Sequence, residues 1–164
     1  MNKFFQSDYI IHGDKISKDL CSGLAKCTNL LNLNLDLSQN QIDENGASRL
    51  GSALANCINL QNLILNLGNN QIEQNGASYL GSGLAKCTNL SNLTIFFGGN
   101  KIGVNGASDL GLALANCTKL YKLALDLGGN EIYENGISGL ASALANCSNL
   151  SNLTLYIRQK FQNK

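Results

Sequence analysis

A thirty-residue period constrains this chain more than any other feature. Residues 31–60, 61–90, 91–120 and 121–150 align without a gap, and the first two copies agree at 19 of 30 positions. A repeat of this strictness marks a unit built several times and stacked, so the fold question reduces to what one copy makes. The two ends keep the phase less faithfully. Residues 1–30 retain Leu20, Leu24, Ala25, Cys27 and Leu30 but place Lys3, Ile10 and His12 where Leu, Asn and Ile are expected. Residues 151–164 open a further copy and leave the pattern after Ile157. The chain therefore reads as one domain over residues 1–164, with a degenerate N-terminal repeat or cap at 1–30, four full repeats, and a partial C-terminal repeat at 151–164.

Inside each copy the hydrophobic period changes. Leu33, Leu35 and Leu37, like Leu63, Leu65 and Leu67, alternate with other residues, which predicts a short strand with one inward face. A turn follows at Asn40-Gln41-Ile42, and then Ala47, Leu50, Ala53, Leu54 and Cys57 recur at helical spacing. Asn45 is read as the N-cap, with the helix running to about Cys57. One strand and one amphipathic helix cannot bury their apolar faces alone, so the copies must stack into a continuous core. The fold class expected is an α/β solenoid of 30-residue repeats, with parallel strands on one face and helices on the other. Strands pack about 4.8 Å apart and helices about 8 to 10 Å, so the array should bend into an open horseshoe arc with its strands on the concave face.

The pattern Leu30-x-x-Leu33-x-Leu35, followed by Asn40-x-Ile42 and a Gly-Ala-x-x-Leu helix, resembles the leucine-rich repeat. Its length is similar to the long-repeat subtype of ribonuclease inhibitor and the Ran GTPase-activating protein, and the Asn- and Leu-rich composition resembles repeat arrays of protists. The resemblance spans residues 16–157 and implies an intracellular protein-binding scaffold. It also implies that Asn40, Asn70, Asn100 and Asn130 form a buried ladder that bonds to backbone groups. The spacing departs from the family pattern at one point: five residues, not three, separate Leu35 from Asn40, so Leu37 adds one inward step to the strand.

Composition narrows the function classes. The formal charge is +1 and charged residues make up 14% of the chain, which leaves no electrostatic footprint for nucleic acid or an anionic membrane. A single His argues against catalysis or metal chemistry built on several imidazoles. No enzyme activity, cofactor or metal is expected. No apolar run approaches the ~18 residues of a spanning helix, and no secretory signal is visible. Cys27, Cys57, Cys87, Cys117 and Cys147 recur every thirty residues and read as small buried hydrophobes, as does Cys21 at a position held later by Gly51, Gly81, Gly111 and Ala141. Unpaired thiols imply a reducing, intracellular, cytoplasmic setting, with cytoskeletal or ciliary association in view.

Function should lie on strand positions that point away from the leucines. Reading across the copies gives rows that begin with Asn32, Asn34, Asp36 and Ser38. The row Asp36, Asn66, Phe96, Asp126 and Tyr156 is the most varied, mixing acids with aromatics where the scaffold requires neither. With Asn34, Ile64 and Thr94 from the neighbouring row, it is the candidate protein-binding face. Arg49, Tyr79 and Asp109 read as a solvated helix face, and His12 as a core or capping residue. Asp43-Glu44 and Glu131 with Glu134 lie in turns that elsewhere hold Gly103-Val104, so they make no catalytic pair.

Phe4, Phe5, Tyr9, Ile10 and Ile11 are expected to cap the first strand, while Leu153, Leu155 and Ile157 begin a strand with no helix after it. That edge, from Leu153 to Ile157, is a second candidate contact. Two roles follow: a non-catalytic module that binds a protein through its concave face, or a structural subunit that meets neighbours through its ends and helices. A third, GTPase activation, comes only from the resemblance. It would want well-placed cations, and the chain has two arginines, Arg49 and Arg158, with Lys122 on the strand face.

Overall fold

The computed structural model describes residues 18–158. Helix and strand alternate as α1 (Lys18–Ala25), β1 (Asn32–Asp36), α2 (Glu44–Leu54), β2 (Asn62–Asn66), α3 (Glu73–Leu84), β3 (Asn92–Phe96), α4 (Gly103–Leu114), β4 (Lys122–Asp126), α5 (Tyr133–Leu144) and β5 (Asn152–Tyr156). The strands form one parallel sheet in the order β1-β2-β3-β4-β5. Every pairing steps by thirty residues, as in Leu33↔Leu63 and Leu63↔Leu93, so the sequence repeat is also the hydrogen-bond register. This is an α/β repeat solenoid whose sheet stays open.

The alternation in each strand makes the core. Leu63, Leu65, Leu93, Ile95, Leu123 and Leu125 are buried under the helices, each contributing about 1.5 to 3 kcal/mol by leaving water. The added inward step is real: Leu37 is buried and its amide donates to Asn66 O at 2.8 Å, so pairing continues past the strand proper. Small residues let the helices approach. A Cβ on Gly51 would lie 2.8 Å from the Tyr79 carbonyl oxygen, and one on Gly83 would overlap the Gly51 backbone.

Two expectations about the helices are corrected. Asn45 is not the N-cap; it lies exposed inside the first turn of α2, whose cap is Asp43, with Oδ1 accepting the Gly46 amide at 2.7 Å. In the next three repeats a left-handed residue, Glu73 (φ 57), Gly103 (φ 68) or Tyr133 (φ 52), turns the chain into its helix before the asparagine is reached. Nothing in the structure explains why Asn recurs there. The helices also stop at Leu54, Leu84, Leu114 and Leu144, leaving Cys57 and its equivalents in the following turn.

Those turns explain the cysteines. All six are free, and Cys57, Cys87, Cys117 and Cys147 are buried. Each thiol points at a carbonyl in the last turn of the helix one repeat earlier: Cys57 at Leu24, Cys87 at Leu54 (3.2 Å), Cys117 at Leu84 and Cys147 at Leu114. A small apolar residue with a weak S–H donor fits a position that must pack tightly and still meet a helix-end carbonyl. Burial, reinforced by neighbouring thiols of the ladder, pushes the Cys87 thiol up to about 12 and those of Cys57 and Cys117 to about 11.

Candidate functional site

The register turns the expected rows into physical ones. Asp36, Asn66, Phe96, Asp126 and Tyr156 are paired successively across β1 to β5, and Asn34, Ile64 and Thr94 form the parallel row beside them. All eight stand on the face opposite the buried leucines. Phe96 is 38% exposed, Ile64 45% and Tyr156 60%, three large apolar side chains in a set whose other members are polar. Beyond the Asp36 row, Gly68, Gly98 and Gly128 hold the next positions without side chains. The sheet is therefore hollowed there into a groove of about 1360 Å³, bordered by Phe96, Asp126 and Tyr156 on one side and by Lys101 and Glu131 on the turn side. Arg158 also lines it.

The two acids of the row differ in their surroundings. Asp36 Oδ1 accepts both the amide (2.9 Å) and the hydroxyl (2.7 Å) of Ser38, and Oδ2 accepts Asn66 Nδ2 at 3.1 Å. Burial, the largest single influence, raises its carboxyl, but those bonds together outweigh it and hold the group below the usual carboxylate range. Among the described residues, Asp126 Oδ1 accepts only the Gly128 amide, at 2.9 Å. A glycine, Gly128, in the place of Ser38 removes the hydroxyl, and Tyr156 in the lateral place of Asn66 removes the amide.

The second asparagine set is structural. Asn40, Asn70, Asn100 and Asn130 are buried. Asn70 Oδ1 accepts the amides of Asn40 and Ile42, both at 2.9 Å, and its Nδ2 donates to Leu37 O and Leu67 O at 2.9 and 2.8 Å. One step on, Asn100 Oδ1 accepts the Ile72 amide and its Nδ2 donates to Leu67 O and Phe97 O; two steps on, Asn130 Oδ1 accepts the amides of Asn100 and Ile102 and its Nδ2 donates to Phe97 O. Asn40 begins the described ladder, and its Oδ1 has no partner among the described residues.

Two further ladders escaped the sequence reading. Asn62 Nδ2 donates to Asn32 Oδ1 at 2.6 Å and Asn92 Nδ2 to Asn62 Oδ1 at 2.7 Å, so the first strand-face row is committed to itself until Lys122 interrupts it. On the other side of the turn, Asn59, Asn89 and Asn149 donate to carbonyls of the preceding repeat, at Thr28, Ile58 and Thr118. The signal was available: Asn recurs at 32, 62 and 92, and a polar column that recurs in a solenoid can bond along itself.

At the C-terminal end, Leu153 is 48% exposed while Leu123 one repeat earlier is buried. Leu155 and Ile157 are half-buried. Phe4, Phe5, Tyr9, Ile10, Ile11 and His12 lie outside the described residues, as does the tail after Arg158. Among the described residues no group of three or more His, Cys, Asp or Glu is placed to hold a metal ion, and no helix is long and apolar enough to cross a membrane.

Fold and site together define a repeat solenoid that presents a grooved strand face with acids and aromatics in one lateral row. In comparison with known proteins, no family model matches the chain and no curated protein matches it.

Proposed function

We propose that this chain is a leucine-rich-repeat protein of the ribonuclease-inhibitor-like subtype that acts as a non-catalytic module, binding a protein partner through its concave strand face in a reducing, cytoplasmic setting. The observation that carries this reading is the row Asp36, Asn66, Phe96, Asp126 and Tyr156 standing in register beside the groove, with two large aromatics exposed where packing asks for nothing. Rigid aromatics bury much area for little lost side-chain entropy, which suits them to anchor an interface. The strands β2 to β4 beneath it are packed on a buried core, so the backbone of the row is already in place when a partner arrives. The Leu33-x-Leu35 strand and the buried Asn40 column support the family assignment, and free, buried thiols support the compartment.

The test is affinity capture from native extract with identification by mass spectrometry. The natural chain is compared with one carrying Asp36→Lys, Phe96→Ala, Asp126→Lys and Tyr156→Ala together, after circular dichroism establishes that both are folded. Captured proteins should disappear with the substitutions. Retention of the same proteins would reject the strand face and favour the second reading, a structural subunit of a larger cytoskeletal or ciliary assembly. The observation favouring that alternative is the half-exposed Leu153 with Leu155 and Ile157 on β5, since apolar side chains exposed on an outer strand invite contact.

A further inference from the structure

The groove holds a finer arrangement than a general binding face requires. Phe96, Asp126 and Tyr156 follow one another in register on β3, β4 and β5. Neighbouring strands lie about 4.8 Å apart, so the two aromatic positions are roughly 10 Å apart with the carboxylate position midway. A cationic head seated over the carboxylate position is thus flanked by one aromatic residue on each side, the neighbours a cation–π contact uses. Asp126 is equipped to be the third wall. Its Oδ1 is held by the Gly128 amide at 2.9 Å, no other described group donates to the carboxylate, and Oδ2 leans toward Gly98, 3.8 Å from where a Cβ there would stand. Asp36, with both oxygens engaged and Asn66 as its described lateral neighbour, has no such vacancy of bonding.

We propose that Phe96, Asp126 and Tyr156 form a slot for one cationic side chain, arginine in preference to lysine, carried by an extended segment of a protein partner that lies along the Gly68-Gly98-Gly128 floor. This rests on the strand-face reading and names the chemistry of the partner. Arginine is preferred because its planar guanidinium stacks on aromatic faces, is weakly hydrated, and still presents donors to a carboxylate. The surrounding charges set the neighbours of that arginine. Lys101 and Arg158 line the same groove with Glu131, so a single cation among neutral residues fits, whereas a run of basic residues meets repulsion.

The probe is the peptide acetyl-Gly-Gly-Arg-Gly-Gly-amide, titrated into isotope-labelled protein and followed by nuclear magnetic resonance. Its control carries citrulline, a neutral isostere of arginine. Saturable shifts are expected at the Gly98 and Gly128 amides and at the rings of Phe96 and Tyr156. Citrulline in the peptide, and Asp126→Asn in the protein, should each weaken binding by about tenfold. Tyr156→Phe should bind as the natural chain does and Tyr156→Leu should not, because the ring and not the hydroxyl forms the wall. Unshifted amide spectra away from the groove verify that each variant is folded. Equal binding of citrulline and arginine, shifts centred elsewhere, or no shift would each overturn the slot. The two claims fail separately: loss of captured proteins in the fourfold variant with no arginine preference would leave the binding face standing and reject the slot, while arginine bound in the slot with capture unchanged would do the reverse.

Discussion

Asn100 shows what one polar residue does in this scaffold. Its Nδ2 donates to Leu67 O and Phe97 O at 2.8 Å, and its Oδ1 accepts the Ile72 amide at 3.3 Å, all in a fully buried turn. Replacing it with alanine leaves those backbone groups without water or partner, at about 1 to 3 kcal/mol each. Asn100→Ala should therefore lower the unfolding free energy by about 3 kcal/mol or more in urea titration, while Asn105→Ala, on the exposed face of α4, should change it by less than about 0.5 kcal/mol. At this scale the sequence was informative where a column is both regular and buried, as at Asn40 and its equivalents. It misled at Asn45, because an Asn-Gly before an apolar helix pattern reads as a cap. The left-handed conformations of Glu73 and Tyr133 that start those helices early carry no residue signature.

Helices in this array are separated by backbone more than by side chains. Gly83 on α3 faces the Gly51 backbone on α2, and the corresponding position is Ala113 on α4 and Ala143 on α5. Gly83→Ala should destabilise the protein by about 1 to 3 kcal/mol, since the methyl group meets a carbonyl that cannot rotate away. The same exchange at Gly23, where a Cβ meets nothing within 4 Å, should not destabilise it. The cysteine turns give a prediction for pH. Cys87 has its thiol raised by burial from 9.0 to about 12, so the folded state stays protonated where the unfolded chain ionises. Its contribution is complete below pH 9.0 and is lost as pH rises toward about 12, with a slope of up to about 1.4 kcal/mol per unit. Urea midpoints measured across that range should fall with pH, and fall less steeply for Cys87→Ala. Strand, turn and helix were legible in each copy because the period changes from two to helical within it. The backbone contact at Gly83 was not, because a glycine among Ser and Ala in a helix gives no direction to its neighbour.

Across the whole molecule, stacking converts a one-dimensional repeat into a two-dimensional surface. Each position in the thirty-residue unit becomes a row, and the core holds its rows nearly constant while surface rows such as Arg49, Tyr79 and Asp109 on the helices vary. On the strand face the row from Asp36 to Tyr156 varies, and the groove at Gly68, Gly98 and Gly128 adds relief beside it. The rows were legible in the sequence because the alignment has no gap. The groove required the structure, since its turn-side wall of Lys101 and Glu131 belongs to a different part of the repeat. Hydrogen–deuterium exchange on the protein with and without its captured partner tests the central claim most directly. The account predicts new protection in peptides spanning residues 92–99, 122–129 and 152–158, with the helix segments 73–84 and 103–114 unchanged. Protection confined to those helices, with the strand peptides unaltered, would contradict it.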